Sequence, residues 1–186
     1  MKIIRKSSSA EMILEWLKAE LISSRFSSDL KNAIKELGTD ENIITNADLD
    51  STEENEKRLS ILKKYRGWFE LDVDTYDWQL AELDQDEAGK LKYIDYDYWN
   101  ELSSQTGLVE KAAQNVKQGM VVFNVPNDAM LSIAKAAESG GDFPPIIVVS
   151  KKDEGEIIEG HLRATGYVLA GSVSKPLNAI VGIPRV

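Results

Sequence analysis

The sequence contains no cysteine and only one histidine, His161, and both shortages exclude kinds of site. Without cysteine the chain forms no disulfide, offers no thiol nucleophile and holds no metal through thiolates. A single imidazole excludes any site that needs two. The compartment is then assigned by default, and the default expectation is cytoplasmic.

Long apolar runs are absent as well. No run approaches the roughly 20 residues that span a bilayer, so we expect neither an integral membrane protein nor a membrane partner. The first nine residues, Met-Lys-Ile-Ile-Arg-Lys-Ser-Ser-Ser, lack the apolar core of a signal peptide.

Negative charge is in excess, and it is unevenly distributed. The 186 residues carry a formal charge of -9 with a sequence pI near 4.8. Residues 117–186 hold seven basic and seven acidic groups, so the whole excess lies in residues 1–116. Specific DNA binding requires a basic surface that offsets phosphate repulsion, and we therefore do not expect it.

The first 116 residues show helical patterns. Ser8 to Glu11 and Ser51 to Glu54 fit capping boxes, and apolar residues follow each at helical spacing. We predict an acidic, all-helical domain over 1–116, with short helices near 77–84 and 97–104 and a last helix ending near Lys117.

Residues 68–101 combine eleven acidic groups with eight aromatic residues. One interpretation is a core of aromatic side chains surrounded by solvated carboxylates. The alternative is an acidic, aromatic surface that binds a basic protein partner. The sequence leaves both open, and the aromatic residues are Trp68, Phe69, Tyr76, Trp78, Tyr93, Tyr96, Tyr98 and Trp99.

Residues 117–186 change to an alternation of strands and helices. We predict a strand over 120–125, a helix after Asn127, buried strands at 146–149 and 156–160 joined by a turn, a helix over 161–170 and a strand over 177–183. The fold class is therefore α+β, with an all-helical domain over 1–116 and a small α/β unit over 117–186.

One junction in this unit carries groups suited to chemistry: Glu159, Gly160, His161, Leu162 and Arg163 join a strand to a helix through glycine. The first amides of such a helix and its dipole attract anions. Arg163 can bind phosphate, His161 can act as an acid or base, and Glu159 can act as a base or hold Mg²⁺. In the structural alternative Arg163 simply pairs with Glu159.

From about Met120 to Pro184 the sequence resembles the ParB/sulfiredoxin-like superfamily. The resemblance rests on the order and spacing of five segments rather than on any single motif. They are Asn124-Val125-Pro126, Ser132-Ile133 followed by Gly140, Pro145-Ile146-Ile147-Val148, Glu159-Gly160-His161-Leu162-Arg163, and Ala179-Ile180-Val181.

The resemblance implies a nucleotide site at the Gly-x-x-Arg segment, with ATP or CTP and Mg²⁺ as the expected ligands. Gly160 and Arg163 match the family, and His161 matches the first histidine of its serine-kinase variant. Cysteine, which sulfiredoxin chemistry needs, is lacking, and Leu162 replaces a phosphate-binding side chain.

Three functions follow as hypotheses. The first is a nucleotide-binding protein, with phosphoryl transfer or nucleotide hydrolysis in which Glu159 or His161 is the catalytic base. The second is a non-catalytic module that senses a nucleotide or binds a protein through residues 68–101. The third is a nuclease, which the acidic surface makes the weakest of the three.

Overall fold

The computed structural model describes residues 1–67, 71–151 and 154–185, and it shows a mixed α+β fold. Helices and strands alternate irregularly along the chain. In order they are β1 Lys2–Lys6, α1 Ser9–Leu21, α2 Ser27–Glu36, α3 Asn42–Thr45, α4 Thr52–Tyr65, a 3₁₀ turn Val73–Thr75, β2 Tyr76–Leu83, α5 Gln85–Gly89, β3 Lys92–Tyr93, α6 Asp97–Leu102, α7 Val109–Lys117, α8 Asp128–Glu138, β4 Ile146–Lys151, β5 Glu154–Glu159, α9 His161–Leu169 and β6 Leu177–Pro184.

The strands form one mixed sheet in the order β1-β2-β6-β4-β5-β3. β4 is parallel to β6 and antiparallel to β5, while β3 is parallel to β5 and β1 antiparallel to β2. The four residues Ile146–Val149 of β4 are at most 2% exposed. A continuous apolar run of this kind is typical of a central strand that is covered on both faces, and β4 occupies that place.

The chain packs as two units. We call residues 1–6 and 79–184 the sheet unit, and residues 7–78 the helical unit. Lys6 at the end of β1 pairs with Gln79 in β2. The helical unit is therefore inserted in the sequence between two residues that lie opposite each other on neighbouring strands. The sequence-based division between residues 116 and 117 followed charge, whereas this division follows packing, and residues 79–116 pack with the sheet.

The prediction that residues 1–116 are all helical is wrong, because β1, β2 and β3 lie there. The helix predicted near 77–84 is the strand β2, while the helix predicted near 97–104 is confirmed as α6. β2 runs between β1 and β6, where Trp78, Ala81 and Leu83 are buried. Pairing on both sides outweighs the low strand propensity of its acidic residues.

The strand predicted over 120–125 is also wrong. The structure has a single bridge between Val122 and Val125 around a tight turn. Phe123 and Asn124 form that turn with φ of 50° and 57°, the left-handed region that side chains other than glycine seldom adopt. An apolar stretch that reads as a strand therefore reverses direction instead.

The elements that follow the turn are confirmed. α8, β4, β5, α9 and β6 occur in the predicted order and close to the predicted bounds. Part of the predicted turn between β4 and β5, Lys152 and Asp153, lies outside the described residues. α8 and α9 pack closely because Gly166 of α9 has no side chain, and a Cβ there would lie 2.6 Å from Ile133.

Candidate functional site: the junction between β5 and α9

The junction is built on Gly160, which caps the N-terminus of α9 with φ of 93°. A Cβ at this position would lie 2.5 Å from Cγ2 and 2.8 Å from Cβ of Ile146, which is fully buried in β4. Glycine is therefore required twice, for the left-handed backbone and for the close approach. It brings the end of β5 and the first turn of α9 close to Ile146, the first residue of β4.

Arg163 and Glu159 form an ion pair across this first turn. The Arg163 guanidinium also donates to the Pro145 carbonyl at 3.3 Å. Both side chains are largely buried, at 15% and 14% exposure. The structural alternative that the sequence left open, pairing of Arg163 with Glu159, is thus present in the structure.

The guanidinium has an additional donor. Within the described part of the chain, Nε of Arg163 is buried and meets no hydrogen-bond acceptor. An unsatisfied buried donor of this kind is costly, so an acceptor that reaches it gains free energy. Arg163 therefore has the capacity to bind one more oxygen than the structure gives it.

His161 lies in an aromatic stack. Its ring is 5.3 Å from that of Trp99 with 12° between the planes, and 5.9 Å from that of Tyr93 with 22°. Tyr93 and Trp99 stack on each other at 4.6 Å, and both are at least nine-tenths buried. The imidazole is consequently held by flat contact with two large rings that come from β3 and α6.

Two hydrogen bonds also connect Tyr93 to His161 by way of Thr165, and they end on the His161 backbone. The Thr165 hydroxyl donates to the His161 carbonyl at 2.7 Å, so it must accept from the Tyr93 hydroxyl, also at 2.7 Å. A hydroxyl has only one proton to donate, which sets the direction of both bonds. Burial raises the pKa of Tyr93 well above its ordinary value, which keeps that proton in place.

Leu162 packs against the hydrophobic core of the sheet unit and contributes apolar contact there. The polar groups available to a ligand at this junction are then the first amides of α9, Arg163, Glu159 and His161. The amides of a first helical turn have no acceptor within the helix and carry the positive end of its dipole.

The junction lacks the ligands of a protein-held metal. Glu159 is its one carboxylate, and it already faces Arg163. Nowhere in residues 1–67, 71–151 and 154–185 do three His, Cys, Asp or Glu side chains cluster as a metal site. Mg²⁺ usually binds proteins through one or two carboxylates together with substrate phosphates. These residues do not fit a resident Mg²⁺, although an ion carried in by a nucleotide is compatible with them.

The aromatic residues of 68–101 are divided between core and surface. Trp78, Tyr93 and Trp99 are buried, whereas Tyr96 is 60% exposed. Trp68 and Phe69 lie outside the described residues. The buried members favour the interpretation of this region as core, and two of them reach the junction itself.

The sequence pattern predicted the five consecutive residues of the junction, and the structure places them at the end of β5 and the start of α9. It did not assign Tyr93, Trp99 or Pro145 to the site. Tyr93 and Trp99 belong to the acidic aromatic region, and no local pattern connects them to His161. The link is the parallel pairing of Tyr93 in β3 with Ile157 in β5.

Comparison of the chain with protein-family models, with curated proteins and with solved structures finds no match. None of the helices in the described part of the chain combines the length and the apolar character that crossing a bilayer requires.

Proposed function

We propose that the sheet unit is a nucleotide-binding module of the ParB/sulfiredoxin-like kind, which holds nucleotide phosphates at the N-terminus of α9. The observation that carries the proposal is the Gly160 junction. It joins a buried strand to a helix whose dipole and first amides attract anions, with Arg163 one turn away.

The order of elements supports this proposal. α8, β4, β5, α9 and β6 follow one another as the family pattern requires, with the Gly-x-x-Arg segment at the start of α9. One expected element differs, since a tight turn at Phe123 and Asn124 replaces the first strand.

Phosphate binding would involve an exchange of partners at Arg163. Glu159 occupies the guanidinium, so an incoming phosphate has to displace this carboxylate or share the cation with it. The first amides of α9 and the unsatisfied Nε of Arg163 favour the phosphate. The loss of the ion pair between Arg163 and Glu159 is then offset by a new ion pair between Arg163 and a doubly charged phosphate.

We propose binding without turnover as the primary activity. Both residues that the sequence suggested as a base are engaged: Glu159 by Arg163, and His161 by the rings of Trp99 and Tyr93. Phosphoryl transfer or hydrolysis is the second candidate. It is favoured by the exchange itself, because phosphate that displaces Glu159 from Arg163 would lie beside this carboxylate.

Isothermal titration calorimetry with ATP, CTP and GTP, each with Mg²⁺, tests the binding proposal. We expect one of the three to bind the wild-type protein, and Arg163→Ala to weaken that binding at least about tenfold. Lys135→Ala is the matched control, because Lys135 is an exposed cation of the same unit on α8. Absence of binding by all three nucleotides contradicts the proposal, as does equal loss in both variants.

Release of inorganic phosphate from the bound nucleotide separates the two candidates. We expect none above the buffer rate. Release that His161→Ala or Glu159→Gln abolishes, without weakening nucleotide binding, would establish the catalytic alternative.

A further inference from the structure

The strand β1 is exposed along its whole length. Each of its five residues, Lys2 to Lys6, is open to solvent, including Ile3 at 44% and Ile4 at 43%. The strand thus buries no side chain fully within its own chain, and its β-branched residues gain little from folding.

β1 is also an open edge of the sheet. In the described part of the chain β2 is its only hydrogen-bonded neighbour. The opposite edge is different, since the short β3 is covered by the Gly107 carbonyl, which accepts from the Tyr93 amide, and by a bridge to Leu108. One edge is closed by the chain itself, and the other leaves backbone groups able to pair with an added strand.

The charge of β1 is opposite to that of the protein. Lys2, Arg5 and Lys6 give three basic groups in five residues, in a chain whose net charge is -9. Lys2 reaches Glu82 on β2 at 3.0 Å. Like charges that face each other across a strand pair are destabilising, whereas opposite charges are favourable.

This charge pattern decides between candidate occupants. A second copy that paired antiparallel about Ile4 would place Lys2 opposite Lys6, which is repulsive. Nucleic acid is disfavoured by the net charge of the chain. A strand with acidic residues can pair with the backbone groups of β1 and also attract its basic side chains.

The register of β1 on β2 shows which side chains an added strand would contact. Ile3 pairs with Ala81 and Arg5 with Leu80, with a bulge at Ile4 between them. The bulge breaks strict alternation, so Ile3 and Arg5 lie on opposite faces of the sheet. An added strand therefore meets Lys2 and Arg5 on one face, and Ile3 together with Lys6 on the other.

We propose that the free edge of β1 binds an extended acidic segment of a partner protein, which adds a seventh strand to the sheet. Main-chain hydrogen bonds supply the pairing, and alternating acidic and apolar side chains supply the selection. The inference is independent of the nucleotide site.

The experiment uses the full chain and a nine-residue peptide of alternating Glu and Val as the probe. Amide signals of the ¹⁵N-labelled protein are followed by NMR during titration. We expect shifts confined to residues 2–6 and their β2 partners, slower exchange of the outward β1 amides, and weaker binding as salt is raised.

Two peptide controls test the mode of binding on unmodified protein. An alternating Lys and Val peptide is expected not to bind. A Glu and Val peptide with N-methylated alternate amides keeps its charge but cannot complete the strand pairing, and it is expected to bind at least about tenfold more weakly. Equal binding of the methylated peptide would overturn the proposal, because charge alone would then explain the affinity.

A charge-reversed variant tests the location. Arg5→Glu with Lys6→Glu should lose the acidic peptide and bind the basic one, while Lys135→Glu on α8 should bind as wild type does. Shifts elsewhere on the sheet unit, tighter binding of an oligouridine than of the acidic peptide, or no shifts at all would each overturn the proposal.

Discussion

Two ion pairs of the same design occupy different units of the protein. In each, a glutamate precedes an arginine by four residues: Glu54 and Arg58 both lie in α4, whereas Glu159 ends β5 and Arg163 lies in the first turn of α9. Arg58 is fully buried, and its guanidinium donates to Glu54, to Asn55 and to the carbonyls of Ile43 and Asp48. Arg163 has one carboxylate and one distant carbonyl.

The difference lies in how fully each guanidinium is used. Arg58 closes the polar segment 43–48 onto α4, and two of its acceptors are backbone carbonyls that have few alternatives. Both arginines keep a buried Nε without an acceptor in the described chain. Arg163, however, retains partial exposure and lies at the positive end of a helix. The first pair is a structural clamp, and the second is suited to exchange its partner for another anion.

Arg58→Ala is the largest expected effect and tests the structural half of this comparison. Removal leaves the Ile43 and Asp48 carbonyls unsatisfied, and we expect the free energy of unfolding of the helical unit to fall by about 4 kcal/mol. Urea unfolding followed by circular dichroism measures the change. Loss of less than about 1 kcal/mol would show that Arg58 is not a clamp.

Gly160→Ala tests whether the junction depends on its glycine. The left-handed backbone alone costs about 1–2 kcal/mol, and the clash with Ile146 adds to it, so we expect about 3 kcal/mol in total. Gly119→Ala is the matched control, because Gly119 has φ of 86° and nothing within 4 Å of its Cβ position. Thermal unfolding of the two variants should differ, and equal losses would exclude the close approach as a cause.

Arg163→Ala tests the other half of the comparison. The pair is less completely buried and holds fewer backbone groups than Arg58, so we expect a loss of about 1–2 kcal/mol of stability. The same urea titration measures it. A loss as large as that of Arg58→Ala would make the second pair structural too, and would argue against exchange with phosphate.

Tyr93→Phe is the smallest expected effect. It removes the hydroxyl that donates to Thr165 and should cost about 1 kcal/mol, with coupling to Thr165→Val in a double-mutant cycle. Burial raises the pKa of Tyr93 in the folded state. The free energy that its neutral hydroxyl contributes to folding is therefore fully present below the unfolded pKa near 10, and it is lost as pH rises above that value. Unfolding measured at pH 9 and at pH 11 should therefore show a smaller decline in Tyr93→Phe than in wild type.

The local side-chain pattern was sufficient to predict secondary structure where a segment is continuously buried. The run Ile146–Val149 and the apolar stripe of α8 predicted β4 and the helix before it. The local pattern was insufficient where strand pairing, rather than the side-chain pattern, decides the structure. β1 is exposed throughout, and β2 mixes apolar residues with Asp77, Gln79 and Glu82, so neither shows a clear strand signal. At Phe123 the backbone conformation opposes the propensity of the residue.

The junction could be predicted for a similar reason. Glu159, Gly160 and Arg163 are close in sequence, and the glycine between the two charged residues marks the strand-to-helix connection that brings them together. The stack on His161 could not be predicted. Trp99 and Tyr93 reach it only because β3 joins the sheet beside β5, which is a property of the topology and not of any local segment.

The pairing of Lys6 with Gln79 has a consequence for how the sheet forms. Residues 7–78 separate these two partners, so β1 can join the sheet only after a long loop has closed, at an entropic cost that folding of the helical unit reduces. Formation of this edge is expected to be late and slow compared with the β4–β5 pairing, which is local. Replacing residues 7–78 with a two-residue Asn-Gly turn would join β1 to the remaining residues 79–83 of β2 as a simple hairpin, and refolding of the sheet should then lose its slowest step.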